Sequence, residues 1–133
     1  MTVEYLDLVD YLAIAAEVTD IPVTELLRTA RLELADSALH APSAGFGEVE
    51  FHVEFLDKAA ALLIHLARNH PLPDGNKRAA WTSLRTFIEI NGWEWLVVPD
   101  VDDAERAVVA VASGEWDQGR TVEWLVPLLE QAQ

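Results

Sequence analysis

The segment ARNHPLPDGNKRAAWTSLR, residues 67–85, brings the residue types that phosphoryl chemistry needs close together. His70 supplies an imidazole, the side chain that ordinarily exchanges a proton near neutral pH. Asp74 supplies hard oxygen donors suited to Mg²⁺, which takes one carboxylate and completes its shell with phosphates and water. Asp74 and Gly75 form a tight turn into a helix that starts at Asn76 or Lys77. A helix start carries unpaired N–H groups and about half a positive charge. Here the amides belong to Gly75, Asn76, Lys77 and Arg78, and Gly75 has no side chain to obstruct an approaching anion. That is an arrangement for binding phosphate. A base, a metal carboxylate and a phosphate cradle within residues 70–78 are the parts of phosphoryl or nucleotidyl transfer. A PDGNKR turn by itself is common, with Asn76 as a plain cap and the cations solvated. It is the joint pattern, His then Asp then Asn-Lys-Arg between two helices, that points to chemistry.

The charge distribution sharpens the point. The chain has 9 Lys and Arg against 23 Asp and Glu, for a net charge of −14. Yet Arg68, Lys77, Arg78 and Arg85 all fall in this segment, with Asp74 as its one acid. The acidic balance argues against direct binding to nucleic acid or to an anionic membrane. No run approaches the roughly 20 apolar residues of a membrane span. The opening MTVEYLDLVDYL lacks the cations of a signal peptide, and a cytoplasmic protein is expected. With no cysteine, disulfides and thiolate metal sites are excluded. Zinc fits poorly as well: His65 and His70 stand five apart across a proline break, and His40 and His52 show no ligand spacing.

The elements that must position these residues read as helical. At 133 residues the expectation is one domain over residues 1–133, all-α, with about six helices and at most one short hairpin. Leu8, Leu12, Ala15 and Ala16 have helical spacing, and TELLRTARLELADSALHAP continues as helix with a break in its middle, ending before Pro42. SAGFGEVE reads as a loop or hairpin. An apolar series from Phe51 through Phe55, Ala59, Leu62, Leu63 and Leu66 predicts a helix buried on one face and stopped near Asn69 by Pro71 and Pro73. The next helix points Trp81, Leu84, Phe87 and Ile88 inward and stops at Asn91-Gly92. GWEWLVVPD reads as a brief extended stretch. Asp100 caps a helix that Ser113-Gly114 terminates, and Thr121 is read as the cap of a last helix through Leu129. Trp93, Trp95 and Trp124 are read as mainly core, with an aromatic groove for a partner helix as the alternative.

HPLPDGNKR resembles the signature of the Fic/Doc superfamily, His-x-Phe-x-Asp/Glu-Gly-Asn-Gly-Arg-x-x-Arg. It lies closer to the Doc (death-on-curing) branch, where Lys replaces the second Gly. The resemblance extends over LDKAAALLIHLARNHPLPDGNKRAAWTSLRTFIEINGW and over AVASGEW, roughly half the chain, and is looser in the N-terminal third.

By that resemblance His70 is a general base for a target hydroxyl and Asp74 binds the metal. Asn76 helps position phosphate, and Lys77 and Arg78 grip the phosphates of a nucleotide. Arg68 also matches a basic position in Doc. Leu72 replaces the family's Phe as the loop's anchor in the core, and Trp81 stands where Fic enzymes that transfer AMP have Arg. With Lys77 and Trp81 there, the nucleotide is expected to sit differently. The resemblance then implies a kinase that moves the terminal phosphate of ATP, with Mg²⁺, to a threonine of elongation factor Tu. It also implies a type II toxin neutralised by a small antitoxin with a disordered inhibitory segment. No Ser/Thr-x-x-x-Glu-Gly/Asn self-inhibitory segment occurs in the sequence, so restraint is expected from another chain. AMP transfer to a protein hydroxyl and a catalytically silent binding module are the alternatives.

Overall fold

The computed structural model describes residues 2–132. Among them seven α-helices carry the fold: α1 (Leu8–Thr19), α2 (Val23–Thr29), α3 (Leu32–His40), α4 (Phe55–Asn69), α5 (Asn76–Ile90), α6 (Val101–Ala112) and α7 (Gln118–Leu125). The all-α expectation holds, with one helix more than foreseen. The break foreseen between α2 and α3 falls at Ala30, which is extended.

Helix α4 is the centre. Its run Ala59–Ala60–Ala61–Leu62–Leu63–Ile64 is buried on every face, not on one, because α3, α5, α6 and α7 surround it. A helix that is apolar all round has no solvent-facing stripe, and the small alanines let its neighbours approach closely. α5 lies against it and buries Leu84, Phe87 and Ile88. The left-handed Gly92 (φ 78°) ends α5 as its Asn-Gly pair predicts.

Two short strand pairs complete the fold. β1 (Gly45–Phe46) and β2 (Val49–Glu50) form the expected hairpin. Phe51 stays with this hairpin, its N–H bonded to Ala44 O at 3.0 Å and its ring exposed, so α4 begins at Phe55 and not at Phe51. The hairpin's base is tied down by Lys58, only 3 % exposed. Its Nζ lies 3.3 Å from Glu50 Oε1 and donates to Pro42 O at 3.4 Å. The second pair is not a hairpin: β3 (Trp93–Trp95) runs antiparallel to β4 (Leu129–Gln131).

The C-terminal helix departs from expectation. Asp117, not Thr121, caps α7, with its side chain accepting from Arg120 N–H. Thr121 is wholly buried inside the helix and donates to Asp117 O. The helix does not reach Leu129: Pro127 cannot continue the hydrogen-bond ladder, and a 3-10 turn over Val126–Leu128 leads into β4. Trp93, Trp95 and Trp124 are half-buried against the core. Trp93 stacks on Phe55 at 5.3 Å, and Trp95, Trp81, Trp124 and Trp116 form a tilted series 5.7–5.9 Å apart. These rings satisfy one another, which favours the core reading over an open aromatic groove.

Candidate active site

The loop between α4 and α5 carries the motif, and two hydrogen bonds and one buried side chain fix its path. Asn69, the last residue of α4, donates from Nδ2 to Leu34 O at 3.0 Å. Pro71 O accepts from Arg31 N–H at 2.8 Å, a donor made available by the break between α2 and α3. Leu72 is 4 % exposed and plugs the loop into the core, as the replacement for the family's Phe requires. Sequence reasoning did not single out Asn69 or Arg31 as loop anchors, since their partners lie more than thirty positions away or across a helix break.

His70 ends α4 in the left-handed conformation, φ 49° and ψ 57°. A branched ring side chain pays about 1 kcal/mol or more to sit there. The imidazole is exposed, as is Asp74 four residues later, and Asp74 has no ion-pair partner among the described residues.

Gly75 caps α5 in the left-handed region at φ 77°. A Cβ there would lie 2.5 Å from Thr19 Cγ2, at the end of α1. Glycine is thus required by helix packing as well as by the turn, rather than by anion approach alone. Thr19 cannot swing aside cheaply, because its Oγ1 donates to Ala15 O at 2.6 Å. Gly75→Ala is expected to cost about 2 kcal/mol or more in urea denaturation. Adding Thr19→Ser, which removes the methyl but keeps the hydroxyl bond, should recover part of that loss.

The first three amides of α5, those of Asn76, Lys77 and Arg78, have no acceptor among the described residues, and the ladder starts with Ala79 N–H to Gly75 O at 2.9 Å. Lys77 and Arg78 are exposed and have no ion-pair partner among the described residues. Amides with no acceptor, the positive end of a fifteen-residue helix and two cations without ion pairs among the described residues coincide here, an arrangement of the kind that suits an anion.

Two of the expected site residues have side chains engaged within the protein. The Asn76 side chain faces back into the loop: Oδ1 accepts from Leu72 N–H and Nδ2 donates to Leu72 O, both at 2.9 Å. It locks the loop's shape, and its backbone amide is the part left to meet an anion. Arg68 is engaged elsewhere too. Its Nε donates to Val111 O and its Nη2 to Trp116 O, each at 2.9 Å, so the guanidinium closes the carbonyl end of α6.

Among the described residues no three His, Asp or Glu side chains gather as a metal site. Asp74 alone fits Mg²⁺ of the kind completed by phosphate and water, and not a cage of protein ligands. His65 lies near His52, and burial first, then the charges of His52 and Arg68, lowers its pKa. A third ligand for zinc is missing there.

The sequence pattern of the Fic/DOC family matches residues 5–88, and the chain belongs to that family. It is 46 % identical over 84 residues to Toxin Doc of Mycolicibacterium smegmatis. The matched stretch is 63 % of this chain and 65 % of that relative, just under two thirds of its length. No described helix is long and apolar enough to cross a membrane.

Proposed function

We propose that the chain is a Doc-type toxin: a protein kinase that moves the terminal phosphate of ATP to a Ser or Thr hydroxyl of a translation factor, with elongation factor Tu the target the family suggests. The observation that carries this reading is the start of α5, where the amides of residues 76–78 and the exposed Lys77 and Arg78 have no partner among the described residues, six to eight positions past an exposed His70. The similarity to a protein named Toxin Doc supports the toxin role.

In this reading His70 takes the proton of the target hydroxyl on an imidazole nitrogen as the hydroxyl oxygen bonds the terminal phosphorus and ADP leaves. Lys77, Arg78 and the α5 amides hold and neutralise phosphate oxygens. Asp74 would hold Mg²⁺, which supplies charge neutralisation on the phosphates. The locked loop acts by positioning, which is most of what such a transfer needs. Restraint comes from a small antitoxin whose inhibitory segment orders on binding.

Expression of the chain alone should stop bacterial growth, and co-expression of the neighbouring reading frame should relieve the arrest. A folded, soluble chain with His70 intact that leaves growth untouched would contradict both the toxin and the partner. Lys77 is expected to direct nucleotide orientation: Lys77→Gly should depress γ-phosphate transfer and let some AMP transfer appear. As an exposed first-turn residue its loss should change stability by under about 1 kcal/mol, and unchanged kinetics would remove it from the site.

A further inference from the structure

The residues on either side of His70 are both held by one short corner of the chain, residues 31–34, where α3 begins just past its break from α2. Asn69 donates from Nδ2 to Leu34 O at 3.0 Å, and Pro71 O accepts from Arg31 N–H at 2.8 Å. Both segments depart from their local preferences. No Gly or Pro lies between Val23 and His40, and Ala30 and Arg31 are good helix formers, so the sequence carries no breaker for the corner. In an unbroken helix Arg31 N–H would bond to Leu27 O. Instead Ala30 is extended at ψ 150°, the ladder ends with Ala30 N–H to Leu26 O at 2.8 Å, and the next donor turns to Pro71. His70 is the other exception. Pro71 drives the residue before it towards extended backbone, and a residue with a Cβ avoids the left-handed region, yet His70 stands at φ 49°. The corner is a firm support, because Leu26 and Ala35 on its two flanks are wholly buried. The Arg31 side chain is exposed, so the corner acts through its backbone.

We propose that the α2–α3 corner is a positioning element of the active site: Leu34 O and Arg31 N–H grip residues 69 and 71 and hold His70 in its left-handed conformation, so that the imidazole is presented in one orientation. The inference rests on the reading of His70 as the base and adds what aims it. Two departures from local preference that answer each other across the fold mark a place where strain is kept for use. Bonds on both flanking residues leave His70 little freedom, since relaxing to extended backbone would pull one of them open. Arg68 makes the same end of α4 fast on another side, through Val111 O and Trp116 O, so the helix end cannot follow the loop. Such holding matters because a misplacement of about 1 Å costs about 10²-fold in rate. Asn69 and Arg31 are thus positioning residues that act through His70, Arg31 by its amide alone.

Two variants of the whole chain remove one bond each. Asn69→Ala deletes the donor to Leu34 O. Arg31→Pro deletes the amide that meets Pro71 O, and the backbone suits it: φ −86° at Arg31 is near the value proline takes, and Ala30 before it is already extended. It is read against Arg31→Ala, which loses the side chain and keeps the N–H. Phosphate transfer from ATP to elongation factor Tu should lose about 10- to 100-fold in kcat in each variant, with the KM for ATP within about twofold. NMR reads the conformation without the reaction. In the wild type the amide and α protons of His70 should give the strong NOE of a positive φ, and in both variants it should weaken. An unchanged kcat beside a lowered Tm would make the corner a structural tie, and an undiminished NOE would mean that it does not hold His70; either overturns the proposal, as does a loss carried by KM alone. If one variant does not fold, the other decides. Should the wild type transfer no phosphate, the kinase reading falls, while the NOE comparison still upholds or overturns the grip on His70.

Discussion

His70→Ala should lower phosphate transfer by about 10²- to 10⁴-fold, the usual worth of a general base, and should abolish growth arrest. The protein should fold as before, since the imidazole is exposed and makes no hydrogen bond among the described residues. A stronger form uses the backbone. His70 occupies the left-handed region at φ 49°, where glycine sits without strain. His70→Gly should therefore be inactive and at the same time more stable, by about 1 kcal/mol, which in a chain of this size raises Tm by a few degrees. A residue retained for packing would show the reverse: activity kept, stability lost. Thermal melts and transfer rates of the two variants side by side decide it.

Asp74→Asn should reduce transfer by about 10²-fold or more while leaving Tm unchanged. The amide keeps the shape of the carboxylate and removes the charge that would hold Mg²⁺. Asp74 is exposed, with no hydrogen bond or ion pair among the described residues, so folding has little to lose. Raising Mg²⁺ should restore part of the rate. Near wild-type transfer in the variant would withdraw the metal role, and a fall in Tm would make Asp74 a turn former instead.

What could be read from the sequence was what depends on local pattern. The prolines at 71 and 73 end α4 where expected, Asn91-Gly92 ends α5, and Asp100 caps α6. His70, Asp74, Lys77 and Arg78 lie within nine positions, so no tertiary knowledge was needed to group them. Features that depend on the path of the chain were not legible. Asn76 looks like a phosphate ligand by position, but its amide closes on Leu72 because the loop folds back over it. Arg68 looks like part of the basic cluster, yet the carbonyls it meets belong to Val111 and Trp116, forty-three and forty-eight residues on. The β3–β4 pair and the packing of Thr19 against Gly75 join distant segments in the same way. The cleft between α5 and α6 arises only when α6 is laid beside α5, so Arg85 reads in sequence as one more cation and in space as part of that cleft's wall.

The most direct test of the central claim is incubation of the purified chain with its protein target, Mg²⁺ and ATP labelled on either the α- or the γ-phosphate. Label should reach a target Ser or Thr from γ-labelled ATP only, with the mass increase of one phosphate, and none should reach it with His70→Ala. Label arriving from the α-phosphate, with the mass increase of AMP, would contradict the kinase account and place the chain with the AMP-transferring enzymes.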